Sequence, residues 1–114
     1  MNSLATGGDW LKLVVAVVQD RDWPAVTSAL VRHDFRVTKV SSTGGFLRRG
    51  NTTLLVGVED SAVETVTKVI RDTCRPREEL VTDLSADATA ALPISVVVGG
   101  ATIFVVDVER HEKV

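Results

Sequence analysis

The chain has 114 residues, of which 45 % are hydrophobic, and a formal net charge of −2. This length suits one domain with its own core, and the weak acidity argues against binding to nucleic-acid polymers, which requires a basic surface. A single cysteine excludes an intrachain disulfide, fits a reducing cytoplasm and disfavours a zinc site. Residues 1–10 lack signal-peptide features, and no apolar run reaches the roughly 20 residues that span a bilayer. We therefore expect a cytoplasmic protein without membrane insertion.

The first half of the chain predicts strand, helix, strand and strand. Residues 11–18 form a nearly continuous apolar run, which is typical of a strand buried on both faces. Asp22 and Pro24 predict the start of a helix, with Asp22 as its cap, that ends at His33 or Asp34. Residues 35–42 then alternate in polarity.

In this alternating segment, Phe35 and Val37 share one face, while Arg36 and Thr38 share the other. After a glycine-rich loop, residues 52–58 predict the next strand. Two of these strands are thus expected to be joined by the loop.

The second half predicts a further helix and two more strands. Ser61 and Glu64 match a capping box, and an apolar stripe at helical spacing follows as far as Cys74. Residues 77–93 have weak periodicity and predict a long loop. Residues 94–98 and 101–108 are rich in β-branched residues on both sides of Gly99-Gly100, which indicates an extra β-hairpin near the C-terminus.

This order predicts an α+β fold, a ferredoxin-like βαββαβ sandwich with two helices on one face of an antiparallel sheet. We expect residues 1–10 to be a flexible extension, residues 11–108 the domain and residues 109–114 a charged tail. Two helices cover only one sheet face, so the apolar strands leave the other face exposed. Self-association normally covers such a surface.

The most informative motif is the loop between the second and third strands. It combines glycines, which allow close approach of a ligand, with an aromatic ring and arginines suited to a base and to phosphate. These features favour a nucleotide-contacting loop. The sequence alone leaves a second interpretation open, a hairpin loop in which Phe46 packs into the core and the arginines are solvated. The loop reads Thr43-Gly44-Gly45-Phe46-Leu47-Arg48-Arg49-Gly50-Asn51-Thr52-Thr53.

Six segments in the same order, from about Lys12 to Val108, resemble the PII-like cyclic di-AMP receptors of bacteria. The segments are Ala16-Val17-Val18-Gln19-Asp20, Phe35-Arg36-Val37-Thr38-Lys39, Thr43-Gly44-Gly45-Phe46-Leu47-Arg48, Gly50-Asn51-Thr52-Thr53, Cys74-Arg75-Pro76-Arg77-Glu78 and Val98-Gly99-Gly100-Ala101-Thr102-Ile103-Phe104-Val105. The resemblance implies a PII-like homotrimer that binds cyclic di-AMP in clefts between subunits. It also implies a signal receptor without enzymatic activity or cofactor, whose loops change conformation to regulate an unknown downstream protein.

The resemblance also implies the binding residues. Phe46 would stack on an adenine, and the backbone at Gly45 and Leu47 would meet the phosphodiester or a base edge. Arg36 and Thr38 would contact phosphate or ribose. The remaining positions are Asn51, which would bind an adenine edge, Gly57, which would leave room for the base, and two secondary candidates, Asp34 and Arg48.

Two features depart from the family pattern. Asp34 replaces an amide, and a carboxylate would repel a nearby phosphate. Residues 81–93 look shorter than the corresponding loop of the family. These departures keep open a PII-like trimer that senses another adenine nucleotide, such as ATP or ADP. A hydrolase is disfavoured because no nucleophile–base pairing is visible, and a purely structural oligomer would require Phe46 to pack inward.

Overall fold

The computed structural model describes residues 11–40, 50–82 and 93–114. As far as the second helix, its strands and helices follow the predicted order. They are β1 (Leu11–Gln19), α1 (Trp23–Arg32), β2 (Thr38–Val40), β3 (Asn51–Glu59), a 3-10 turn (Asp60–Ala62), α2 (Val63–Thr73), β4 (Arg77–Thr82), β5 (Pro93–Val98) and β6 (Ala101–Asp107).

The main sheet has four antiparallel strands in the order β2-β3-β1-β6. β1 lies in the middle, with Val14 opposite Val56 of β3 and Val105 of β6. This is the strand order of a ferredoxin-like sandwich, with β6 in the place of the last strand. The predicted α+β class, the antiparallel sheet and both helices are therefore confirmed.

The core lies between the helices and one face of the main sheet. Alternate residues of β1 and β3 are buried there, because successive side chains of a strand point to opposite faces. Both helices close the core with residues at helical spacing. The fully buried side chains include Val14, Val18, Leu54, Val56, Val26, Leu30, Val66 and Ile70.

The predicted side-chain caps of both helices are absent. Asp22 precedes α1, but its carboxylate makes no cap hydrogen bond and instead accepts one from Arg77. The 3-10 turn shifts the start of α2 to Val63, so Ala62 takes the cap position. Ser61 lies inside this turn rather than before the free amides of the helix, and the capping-box prediction is therefore wrong.

The predictions for residues 77–108 need correction. Residues 77–82 are not loop but strand β4, which pairs with β5 in a separate two-stranded sheet, the ribbon. The expected hairpin between β5 and β6 is not confirmed, because β6 pairs with β1 along the free edge of the main sheet. That long-range pairing completes the core, and it outweighs the local signal from Gly99-Gly100.

Strand β2 is shorter than predicted. Within residues 35–40 only Thr38–Val40 pairs with β3, and residues 41–42 lie outside the described residues. Phe35 and Val37 nevertheless pack against the core, while Arg36 and Thr38 are exposed. The predicted separation of the two faces is therefore confirmed.

Candidate functional site

The sheet face opposite the helices, which we call the open face, is apolar and largely uncovered. It carries the β1 residues that alternate with the core residues, among them Leu13 and Val15, which remain partly exposed. On the neighbouring β6, Phe104 is 54 % exposed and Val106 is 48 % exposed. Apolar surface of this extent usually marks an interface.

Thr38, Asn51 and Gly57 lie on the open face. Thr38 is opposite Leu55, and Asn51 and Gly57 share the face of Leu55 because they are separated from it by even numbers of residues. Arg36, two residues before Thr38, is also exposed. The structure thus brings three of the predicted binding residues, Thr38, Asn51 and Gly57, to one sheet face, and Arg36 is exposed just before β2.

These candidates do not form one compact cluster within a protomer. Asn51 begins β3 and Gly57 lies six positions further along the same strand, which corresponds to about 20 Å at the rise of an extended chain. Thr38 pairs between them, opposite Leu55. A ligand that contacts the two ends of β3 at once would have to span most of the strand.

Gly57 leaves an open space on this face. It is exposed, and a Cβ added there would have no heavy atom within 4 Å. Its φ is not among the positive values found in the chain. Neither a close contact inside the protomer nor the backbone conformation therefore requires glycine at this position.

Asp34 has a backbone role that the sequence did not reveal. It follows the end of α1 with φ of 65°, in the left-handed region that Asn and Asp tolerate better than most residues. Its N–H donates to the carbonyl oxygen of Val31 at 2.9 Å. The side chain is exposed, and a short polar residue here is explained by helix termination alone.

Lys39 lies on the opposite side of the sheet from these candidates. Its Nζ is 3.9 Å from the centre of the Trp23 ring, a cation–π contact on the helix side. Lys39 therefore does not contribute its charge to the open face.

The remaining predicted residues, Gly45, Phe46, Leu47 and Arg48, lie outside the described residues. The described chain resumes at Gly50, which has φ of 91° and whose carbonyl oxygen accepts a hydrogen bond from the N–H of Asp20 at 2.8 Å. The hydroxyl of Thr52 donates to Oδ1 of Asp20 at 2.5 Å. Asn51 is thus held between two residues that Asp20 fixes.

Phe104 is a candidate that the sequence analysis did not single out. Its alternation with Ile103 and Val105 in β6 could have placed it on the open face, because Ile103 packs against the core. An exposed phenyl ring is a surface on which a base can stack. Phe104 lies on the opposite edge strand of the sheet from Thr38.

The Cys74 thiol is buried at the end of α2. Burial raises the pKa of the Cys74 thiol to about 11, and the Asp22 charge adds to this effect while Arg77 opposes it. Within residues 11–40, 50–82 and 93–114, no group of three His, Cys, Asp or Glu side chains could hold a metal ion. The helices of this described part are too short or too polar to cross a membrane.

The fold and the open face define a small ferredoxin-like α+β domain with a hydroxyl and an amide on an uncovered sheet surface and an exposed guanidinium just before β2. The family model of the cyclic-di-AMP receptor matches residues 11–114. The chain therefore belongs to the cyclic-di-AMP receptor family.

One solved structure supports the fold independently. A functionally unknown protein from Pediococcus pentosaceus is similar at 39 % sequence identity, with a TM-score of 0.74. The match covers 92 % of this chain and 98 % of the other. The two chains therefore share the domain over nearly their whole lengths.

Proposed function

We propose that the protein is a cytoplasmic, non-catalytic signal receptor that binds cyclic di-AMP in clefts between the subunits of a PII-like homotrimer. Membership of the cyclic-di-AMP receptor family is the observation that carries this proposal. The ligand changes the loop conformation, and this change regulates a partner protein. The chemistry of the open face supports the same function.

The open face supports a cleft between subunits rather than a pocket inside one. Burying its exposed apolar residues contributes about 25 cal/mol per Å² of apolar surface, which favours association. Because Asn51 and Gly57 lie near opposite ends of β3, each subunit offers one end of this strand to each of two neighbours. A homotrimer then has three equivalent clefts, and each cleft combines residues from two subunits.

Cyclic di-AMP presents two flat bases and two negative phosphates. The Arg36 guanidinium is suited to a phosphate oxygen, and Thr38 can donate a hydrogen bond to phosphate or ribose. The Asn51 amide can pair with N6 and N7 of adenine together. Gly57 leaves room for a base, and Phe46 provides a stacking surface worth about 1–3 kcal/mol.

The remaining predicted positions complete this proposal. The backbone at Gly45 and Leu47 meets the phosphodiester or a base edge. Arg48 adds to the positive field, and Asp34 accepts from an adenine amine or a ribose hydroxyl. Ligand binding shifts the loops only to the extent that the ligand has a higher affinity for one loop conformation than for the other.

Isothermal titration with cyclic di-AMP, combined with light scattering, tests the proposal. We expect one ligand per subunit and a trimeric mass. Cyclic di-GMP serves as the matched control, because it keeps the charge and ring but replaces the adenine edge. An intact trimer that gives no heat with cyclic di-AMP at high micromolar concentration would rule out the receptor function.

A second candidate is a PII-like trimer that senses ATP or ADP. The exposed carboxylate of Asp34, two residues before Arg36, motivates it because a negative charge disfavours a nearby phosphodiester. A ligand that binds only the folded state raises its stability, so a thermal-shift series of ATP, ADP, AMP and cyclic dinucleotides separates the two. A larger shift with ATP than with cyclic di-AMP favours this candidate.

The non-catalytic part of the proposal has its own test. The protein is incubated with cyclic di-AMP, and the linear dinucleotide and AMP are sought by chromatography. Accumulation of either product with turnover would identify a hydrolase instead.

A further inference from the structure

Three sequence motifs have no part in the proposed ligand contacts, and the structure brings them together. They are the Gln19-Asp20 pair with the turn that follows it, the segment around Cys74 and Arg77, and the Gly99-Gly100 pair. All three meet where β1 ends and the ribbon begins. We call residues 19–22, which lie at the centre, the junction turn.

The first half of the junction turn holds two strands of the main sheet. Oε1 of Gln19 accepts a hydrogen bond from the N–H of Gly99 at 2.8 Å, just before β6. The backbone N–H of Asp20 donates to the carbonyl oxygen of Gly50, and its carboxylate accepts from Thr52. Asp20 therefore positions the two residues that flank Asn51.

The second half of the junction turn holds the ribbon. Nη2 of Arg77 donates to Oδ1 of Asp22 at 2.9 Å, and this hydrogen bond raises the pKa of Arg77 above its usual value. Arg77 also contacts Glu79, which in turn pairs with Arg21 at 2.5 Å. Asp22 is only 4 % exposed, so Arg77 neutralises a buried charge.

The ribbon is fixed at this point at both of its strands. Arg77 anchors β4, and Gly99 anchors the end of β5. Gly99 packs so closely that an added Cβ would lie 2.8 Å from the carbonyl oxygen of Arg75. The N–H of Gly100 donates to the carbonyl oxygen of Cys74. The ribbon has no strand pairing with the main sheet, so in the part of the chain that the structure describes these contacts connect it to the domain.

We propose that the junction turn couples Asn51 to the ribbon, with Asp20 as a positioning residue for the ligand site and Asp22 as the anchor of β4. Residues 19–22 contact both the segment 50–53 and the ribbon. A shift of either region therefore moves the residues that support the other. The coupling to ligand rests on the proposed function, whereas the coupling between residues 50–53 and the ribbon does not. By reciprocity, ligand affinity changes when the ribbon is loosened, and ribbon mobility changes when ligand binds.

Hydrogen exchange of the ligand-free protein tests the structural part. In Arg77→Gln we expect faster exchange in β4 and β5 and also in residues 50–53, which Arg77 does not contact. Arg110→Gln is the matched control, because it removes an exposed pair with Glu112 elsewhere in the chain. A faster hydrogen exchange that is confined to the ribbon overturns the proposal. If Arg77→Gln does not fold, Glu79→Gln, which loses only partly exposed contacts, replaces it.

Titration with cyclic di-AMP tests the functional part. We expect Arg77→Gln to bind at least about fivefold more weakly, the lower range of coupling between sites, and ligand to slow exchange in the wild-type ribbon. Asp20→Ala should weaken binding similarly, and Asp20→Asn should restore it because its amide oxygen still accepts from Thr52.

The outcomes separate the two proposals. Wild-type affinity in Arg77→Gln and in Asp20→Ala overturns the junction while the receptor function stands. A wild-type protein that binds no cyclic di-AMP refutes the receptor function, and the exchange experiment then decides the junction alone.

Discussion

Replacing Gly57 with valine should separate the requirements of the protomer from those of the ligand site. Gly57 lies on the open face of β3, opposite Leu13 of β1. A new Cβ at this position meets no heavy atom within 4 Å, and the extended backbone suits a β-branched residue. The protomer should therefore accept the substitution without strain.

The expected effects on stability and affinity have opposite signs. Glycine in a strand interior costs roughly 0.5–1 kcal/mol relative to alanine, so the free energy of unfolding should stay constant or rise by up to about 1 kcal/mol. If a base occupies the open space, the added methyl groups overpack the contact, which costs about 1–3 kcal/mol. Because 1.4 kcal/mol corresponds to about tenfold, affinity should fall by roughly 5- to 150-fold.

Calorimetric titration measures the affinity, urea unfolding the free energy of unfolding, and light scattering the oligomeric state, all on the same samples. Ser95→Val is the matched control, because Ser95 is exposed on β5 outside the open face. Wild-type affinity in a trimeric Gly57→Val protein would show that no base lies at this position. A dissociated trimer would assign the open space to subunit packing instead of to ligand.

Three further predictions concern single side chains. Phe46→Ala should weaken cyclic di-AMP binding by about 1–3 kcal/mol with little change in Tm, and a large loss of ligand-free stability would instead place the ring in the core. Asp34→Asn keeps a residue that tolerates φ of 65°, so the free energy of unfolding should stay unchanged. Calorimetry should show several-fold tighter binding of cyclic di-AMP, most clearly at low salt. Unchanged affinity would remove Asp34 from the site. The pKa of Cys74 rises from 9.0 to about 11 on folding, so its contribution to stability is complete below about pH 9 and is lost as pH rises towards 11. In urea unfolding, Cys74→Ala should therefore lose less free energy of unfolding at alkaline pH than the wild type does. An identical loss in both proteins would contradict this assignment.

The sequence predicted the central fold because its signals were local and periodic. Residues 11–18 and 52–58 alternate or run apolar over the lengths of β1 and β3, and the apolar stripe of α2 repeats at helical spacing. The same alternation separated Arg36 and Thr38 from the core side of β2, which the structure confirms.

The errors arose where distant segments compete for the same partner. Asp22 is a favourable cap for α1, but Arg77, far along the chain, takes its carboxylate. Gly99-Gly100 favours a local hairpin, but the free edge of β1 takes β6 and leaves β5 to β4. Local propensity cannot express such competition, because each pairing depends on backbone positions that only the assembled sheet defines.

The sequence singled out candidate ligand residues but gave no arrangement for them. Alternation predicted only that Arg36 and Thr38 share a face, and it did not relate them to Asn51 or Gly57. It gave no distance between them. Their spread along β3 emerges only from the register, and this spread is the geometric argument for clefts that use two subunits.

The distribution of charge is compatible with the proposed binding of a dianion to a mildly acidic chain. The formal net charge is −2, yet association with phosphate depends on the local field more than on the total. In the described residues Lys12 is paired with Asp107, Arg77 with Asp22, and Lys39 with the Trp23 ring. Arg36 is exposed just before β2 and takes part in no ion pair within residues 11–40, 50–82 and 93–114. Lys12, Arg77 and Lys39 are thus engaged in contacts within the protomer, whereas the exposed Arg36 guanidinium stays available for the proposed phosphate contact.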